Sequence, residues 1–215
     1  MYFNLQKAFD TVDHKILLSK LYNYDILGTI FEWFKNYLQN RLTYTSIANK
    51  NHSGFSVTCG VPQGSVLGPI LFLVYMNDIA YSVADSKIKL FADDTNVFVS
   101  AKCVAELTVR CNTYLADLHE WFLANKLSLN IDKTCYTLFQ PHPQTSISHD
   151  LGLVINEIKI KHVSSCRYLG VLIDDRMKWE DRIQYVHKKI INFLFIFYKI
   201  KNKCQTNVSK AYTSH

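Results

Sequence analysis

The stretch LFADDTNVF, residues 90–98, sets two adjacent carboxylates, Asp93 and Asp94, between short apolar runs that both read as strands. Two-residue hairpin loops favour Asn-Gly or Asp-Gly because both central residues need positive φ, so Asp-Asp at such a turn is poor local chemistry. Adjacent like charges also repel. A hard divalent cation converts that repulsion into ligation, because Mg²⁺ and Ca²⁺ take anionic oxygens. Taken alone, the pair reads better as a solvated acidic turn. A metal site requires a further carboxylate from a separate element.

The elements that would position these groups alternate between helical and extended. HKILLSKLYNY carries Leu17, Leu21 and Tyr24 at helical spacing, and TIFEWFKNYLQNR carries Ile30, Phe34, Tyr37 and Leu38 likewise. Both are amphipathic helices following a first strand. RLTYTSIANKNHSGFSVTCG reads as a hairpin about the turn-formers Asn49 to Gly54. VPQGSVLGPILFLVYMNDIAYSV opens as a Pro/Gly loop and continues as an apolar helix buried on most sides. After the Asp-Asp hairpin, Leu107, Cys111, Leu115, Leu118 and Phe122 mark a long helix packed on a sheet. CYTLF reads as a strand, QPHPQTS as a loop, and LVINEIKI and RYLGVLID as extended runs. The last element holds Ile183, Val186, Ile190, Phe193, Phe197 and Ile200 on one face, with its basic residues largely elsewhere. The expected fold is α+β, an antiparallel sheet packed on helices and ending in a basic helical segment.

Composition narrows the function classes. The chain has 215 residues, 48% of them hydrophobic, enough to bury a sizeable core. Its net charge of +6 is concentrated: residues 176–203 hold eight Lys/Arg against Glu180 and Asp181. A localised basic face fits a polyanion partner, or else a solvated helix surface. The longest apolar run, Val66 to Met76, is far short of the roughly 20 residues a membrane helix needs. The six cysteines form no C-x-x-C pair and no secretory leader precedes them, so a reduced, intracellular setting is expected, with nucleus and cytoplasm left open. HEWFL at His119 lacks the second histidine of a zinc-protease helix, Leu123 standing in its place, and reads as helix surface.

Five strings occur in order along the chain: FNLQKAFDTVDHKILL, GVPQGSVLGPILF, FADDT, LSLNIDKT and YLGVLID. Together they resemble the successive palm motifs of reverse transcriptases, specifically those of non-LTR retrotransposons, from about Tyr2 to the basic helix near residue 200. The resemblance implies a polymerase palm over residues 1–174 and a partial, thumb-like basic helical segment over 175–215. It implies that Asp93 is a metal-binding carboxylate, with Asp94 its less directly involved neighbour. Phe9 matches the aromatic that closes the sugar pocket against a 2′-hydroxyl, and Pro62, Gln63 and Gly64 the loop near template and incoming nucleotide. Lys133 sits where some polymerases keep a lysine suspected of protonating pyrophosphate. Tyr168, Leu169 and Gly170 match a turn that grips the primer end, and Arg182, Lys188 and Lys189 would meet the nucleic-acid backbone. The implied partners are an RNA template, a DNA primer or RNA–DNA hybrid, and dNTPs, with Mg²⁺ as cofactor.

Phosphoryl transfer to a 3′-hydroxyl rests on positioning and on two metal ions about 3.5 to 4 Å apart. The family supplies a second essential aspartate from the first palm motif, five residues before the aromatic gate, and here that position is Asn4. Asparagine offers one neutral oxygen and an NH₂ that cannot ligate. Asp10 is read as a helix N-terminal residue rather than a substitute ligand, and Asp13 and His14 as first-turn residues. Only three residues precede Asn4, so the fingers region and any accompanying endonuclease are expected to be missing, and the shortened first strand to fray. Three readings result: a reverse transcriptase fragment with little or no activity, a non-catalytic nucleic-acid-binding remnant, or a decayed fragment that does not fold stably.

Overall fold

The computed structural model describes residues 1–39, 41–44, 46–47, 50–51, 54–83, 87–140 and 150–212. The chain forms two compact units, Met1–Tyr136 with Ser146–His162, and Thr137–Thr145 with Val163–His215.

The first unit begins with β1 (Tyr2–Phe3), α1 (His14–Asn23) and α2 (Gly28–Leu38). Four two-residue strands follow: β2 (Leu42–Thr43), β3 (Ser46–Ile47), β4 (Lys50–Asn51) and β5 (Phe55–Ser56). The apolar helix α3 (Leu67–Met76) leads through a 3-10 turn to the hairpin β6 (Lys87–Phe91) and β7 (Asp94–Phe98). After the long α4 (Val104–Ala124) come β8 (Cys135–Tyr136), β9 (Val154–Ile155), β10 (Ile158–Lys159) and β11 (Lys161–His162). The second unit contains β12 (Ser165–Tyr168), β13 (Val171–Asp174) and α5 (Glu180–Tyr212).

Five strands make the main sheet, in the order β11-β8-β1-β7-β6, which puts the first strand of the chain in the middle. β1 runs antiparallel to β7, with Tyr2 opposite Asn96 and Phe3 opposite Thr95, and antiparallel to β8 on its other edge. The expected fraying does not occur, because both edges are paired. Met1 and Val97 exchange backbone hydrogen bonds at 2.7 and 2.8 Å, Asn130 N–H donates to the Asn4 carbonyl at 2.8 Å, and Gln6 N–H to that of Ser128 at 2.8 Å. Period-2 alternation sends Phe3 and Leu5 to one face, where Phe3 is fully buried and its ring meets Phe122 of α4 at 6.3 Å.

The core of this unit gathers Leu17 and Leu21 of α1, Leu71, Phe72 and Tyr75 of α3, and Leu115, Leu118 and Phe122 of α4. Lys20 is buried with them. Its ammonium donates to the Tyr75 carbonyl and to Asp78 at 2.6 Å each and lies over the Tyr75 and Trp121 rings. Burial lowers its pKa, and Asp78 acts against that shift. The bond to a main-chain carbonyl of α3 ties α1 to that helix.

Several expectations need correction. α3 buries Leu71, Phe72, Tyr75 and Met76, but Ile70 and Leu73 on its other side are about half exposed, so it is a one-sided helix. Asp10 does not cap α1; Asp13 does, its Oδ1 accepting from Lys15 and Ile16 N–H at 2.9 and 3.1 Å. LVINEIKI is not one extended run but the hairpin β9–β10, reversed by Asn156 and Glu157 at φ 47° and 65°. CYTLF forms a ladder only at its first two residues. Lys50 and Asn51 pair with Ile47 and Ser46 rather than forming part of the turn, while Asn49, His52 and Ser53 lie outside the described residues. Gln140 is irregular, and the rest of QPHPQTS is likewise outside them. In α5 the apolar Ile190, Phe193, Phe197 and Ile200 are each more than half exposed.

Phe3→Ala is expected to cost about 3–5 kcal/mol of stability, because it empties a fully buried site in the central strand. Urea denaturation followed by circular dichroism measures this; a loss under about 1 kcal/mol would mean that the first strand frays after all.

Candidate active site

The β6–β7 hairpin pairs Phe91 with Asp94, so its two loop residues are Ala92 and Asp93. Asp93 and Asp94 do not share the loop as their adjacency suggests: Asp94 is the first residue of β7. The unfavourable turn residue is therefore Ala92, at φ 52°, a conformation costing a residue with a Cβ about 1–2 kcal/mol. The one-residue shift separates the carboxylates. Asp93 stands at the tip, and Asp94 is held in the ladder.

The β1–β7 register, continued one step beyond Phe3↔Thr95, brings Asn4 opposite Asp94. Tyr2 and Asn4 share a strand face, and Asp94 is the diagonal neighbour of Tyr2 across the ladder. The Tyr2 hydroxyl donates to Asp94 Oδ1 at 2.5 Å. Burial, reinforced by the Asp94 bond, pushes the Tyr2 phenol up from 10.0 to about 12. The fold thus brings Asn4 beside the β6–β7 hairpin. Tyr2 was not singled out from the sequence, although the i, i+2 alternation of a strand placed it on the face of Asn4.

A second constellation surrounds Phe9 and Gln63. Val61 N–H donates to the Phe9 carbonyl at 2.8 Å and Gly60 N–H to that of Val12 at 2.7 Å, which zips the Pro/Gly loop onto the segment after β1. Gly60 is needed there: at φ +87° an added Cβ would lie 2.8 Å from the Asp10 carbonyl oxygen. Phe9 is half-buried, with its ring 4.6 Å from Phe72. Gln63 Nε2 donates to Asp10 Oδ1 at 2.8 Å, so Asp10 anchors the loop. Asp10, Arg41, Cys59, Pro62 and Gln63 line a cavity of about 330 Å³. Gly64 follows at φ +80° with open space around it. Lys133 is exposed at the end of a 3-10 turn that precedes β8, the neighbour of β1.

In the second unit, Leu169 and Gly170 are the two loop residues between β12 and β13, at φ 47° and 80°, with Tyr168 closing the ladder against Val171. Arg182 donates to the Gly170 carbonyl at 3.1 Å. Arg167, Arg182 and Lys189 all lie within 6 Å of the Tyr185 ring centre, at 5.5, 5.9 and 4.9 Å. The Lys189 ammonium beside its hydroxyl holds the Tyr185 phenol below its ordinary value. No ion pair joins Arg167, Arg182, Lys188 or Lys189 to a carboxylate among the described residues.

The donor set at the hairpin does not fit a divalent metal. Position 4 carries a neutral amide, one Asp94 oxygen is engaged by Tyr2, and Asp93 is the remaining carboxylate. No cluster of three or more His, Cys, Asp or Glu able to hold a metal ion occurs among the described residues.

The elevated Tyr2 pKa has a testable sign. A phenol that stays protonated in the folded chain stabilises it fully below about pH 10, and this contribution is lost as pH rises through about 12. Chain labelled at tyrosine Cζ, with Tyr2 assigned through Tyr2→Phe, should show that ring still neutral at about pH 11. Asp94→Asn should lower its midpoint while leaving it above 10, since burial is the larger cause. A Tyr2 midpoint near 10 in the unaltered chain would contradict the hydrogen bond.

The family model described as reverse transcriptase (RNA-dependent DNA polymerase) matches residues 1–173. A probable RNA-directed DNA polymerase from transposon BS of Drosophila melanogaster is 32% identical over 82% of this chain and 20% of its own length. The RNA-directed DNA polymerase from mobile element jockey of Drosophila funebris is 28% identical over 85% of this chain and 20% of its own. A Pol polyprotein from type-1 retrotransposable element R1 of Bradysia coprophila is 27% identical over 93% and 20%. The chain spans about a fifth of the length of these relatives. It belongs to the reverse transcriptase (RNA-dependent DNA polymerase) family and is related, within it, to the polymerases of non-LTR retrotransposons.

Proposed function

We propose that this chain is a palm-like portion of a non-LTR retrotransposon reverse transcriptase, followed by a thumb-like basic helix, and that it does not extend primers as it stands. The observation that carries this reading is the β1–β7 register. It sets position 4 beside the Asp-Asp hairpin, where this reading puts a second metal-binding carboxylate, and the residue there is asparagine. In a reaction whose barrier is lowered mainly by electrostatic stabilisation, one absent carboxylate is worth several kcal/mol. Mg²⁺ is the cofactor we assign to the site with its carboxylate restored. Phe9, Pro62, Gln63 and Gly64 keep positions suited to a dNTP and template, held by Phe72 and Asp10. Asp93 remains the surviving ligand, Asp94 its neighbour, and Lys133 a candidate proton donor to pyrophosphate.

A second reading, binding without catalysis, is favoured by the second unit. Arg167, Arg182 and Lys189 converge on Tyr185 with no carboxylate partner among the described residues, beside the Tyr168–Gly170 turn. An RNA–DNA hybrid or an RNA template with a DNA primer supplies the phosphates such a group would meet. The two readings coexist in one chain: silent chemistry with retained affinity.

Primer extension on a primed RNA template with dNTPs and Mg²⁺ tests this directly. The unaltered chain should give no product, Asn4→Asp should extend by at least about 100-fold over it, and adding Asp93→Ala should abolish the gain. Extension by the unaltered chain would refute the silent reading. In parallel, affinity for an RNA–DNA hybrid should fall steeply between low and high salt, and Arg182→Ala should reduce the salt slope by about one.

A further inference from the structure

Three side chains stand in series along α2 and just past its end. Trp33 and Tyr37, one helical turn apart, stack with ring centres 5.4 Å apart and planes 13° from parallel. The Arg41 guanidinium lies over the Tyr37 ring, 5.4 Å from its centre. Tyr37 packs against the core, whereas Trp33 stays 50% exposed. Stacked on Tyr37 and met edge-on by Phe34 at 5.1 Å, the indole is held in one orientation while half its surface stays open. Such a preorganised π surface binds a ligand with little further loss of side-chain freedom. Arg41 is fixed through its backbone, its carbonyl accepting from Val57 N–H at 2.9 Å. Lys35 and Glu32 of α2 neutralise each other at 3.3 Å, but Arg41 has no ion pair among the described residues. Arg41 also lines the cavity that Asp10 and Gln63 share. The series therefore runs from an open indole, through Tyr37, to a cation at the cavity wall.

We propose that Trp33, Tyr37 and Arg41 form a stacking platform for single-stranded nucleic acid, which takes an unpaired template strand where it meets the cavity beside Gln63. This rests on the reading of the Gln63 loop as lying near the template. An unpaired strand offers what the series can hold: a base whose π face stacks on the indole, and a phosphate that accepts from the guanidinium fork. In a duplex the bases already stack on one another, and an apolar peptide gives Arg41 no anion to meet. Trp33 takes the base, Tyr37 keeps Trp33 and Arg41 in line, and Arg41 meets the phosphate.

The test compares a short oligouridylate with a blunt RNA–DNA hybrid, each titrated into the full chain in four forms: unaltered, Trp33→Ala, Trp33→Phe and Arg41→Ala. Anisotropy of the labelled nucleic acid gives affinity across a range of salt, and tryptophan emission reports stacking. Trp33→Ala should weaken oligouridylate binding about tenfold at every salt concentration, the effect of one lost base stack, and leave hybrid affinity unchanged. Trp33→Phe should recover most of that affinity, since it keeps an aromatic face, while losing much of the emission quenching that the unaltered chain shows. Arg41→Ala should reduce the salt slope for the oligouridylate by about 0.7, the share of one phosphate contact. Unchanged oligouridylate affinity in Trp33→Ala, or binding of the hybrid alone by the unaltered chain, would overturn the platform and leave the nucleic-acid reading intact. Binding of neither ligand would remove both. A purely structural Trp33 would shift the melt of Trp33→Ala without moving its oligouridylate affinity; should that variant not fold, Trp33→Leu replaces it in the same comparison.

Discussion

The pairing of a two-residue strand with its two neighbours is the constraint on which the arrangement depends. β1 is only Tyr2 and Phe3, yet it sits at the centre of the sheet and is bonded on both edges. Its register with β7 decides at once which side chain enters the core and which meets the Asp-Asp hairpin. A slip of one residue would carry Phe3 out of the core and turn Asn4 away from Asp94. Burial of Phe3 against Phe122 and the backbone bonds of Met1, Asn4 and Gln6 oppose that slip. The packing and the placement of the polar cluster therefore share one physical origin.

The loop from Gly60 to Ser65 depends on the same segment. It is stitched to residues 9–12 by two main-chain hydrogen bonds, at a distance only glycine tolerates at position 60. Asp10, which does not cap the helix, is free to bind Gln63. Asp13 caps in its place and also bonds Lys126 at 2.6 Å, which connects the start of α1 to the segment after α4. Phe9 and Gln63 thus inherit their positions from the strand that orients Asn4.

Much of this was legible in the sequence. The helices from 14 to 38, the α4 stripe and the β6–β7 hairpin follow from periodicity, and the ordered motifs gave the family. What was not legible depends on one-residue detail or on contacts between distant segments. Adjacent aspartates do not reveal which of them lies in the loop, since Ala92 accepts a positive φ that its sequence does not advertise. An Asp before an apolar run looks like a cap at position 10 or 13, and only tertiary packing chooses. The Tyr2–Asp94 bond spans 92 residues of sequence, beyond the reach of local pattern. The exposed apolar side chains of α5 show the converse: periodicity predicted a stripe, and among the described residues nothing covers it.

On the proposed reading, a single missing carboxylate, at a position the sheet register sets beside the hairpin, separates this chain from a metal-holding site. Anomalous diffraction from crystals soaked in Mn²⁺ tests it most directly, comparing the unaltered chain with Asn4→Asp. An ion should bridge position 4 and Asp93 in the variant, with none at the hairpin of the unaltered chain. An ion at Asp93 in the unaltered chain, or one held by Asp10 in either, would contradict it.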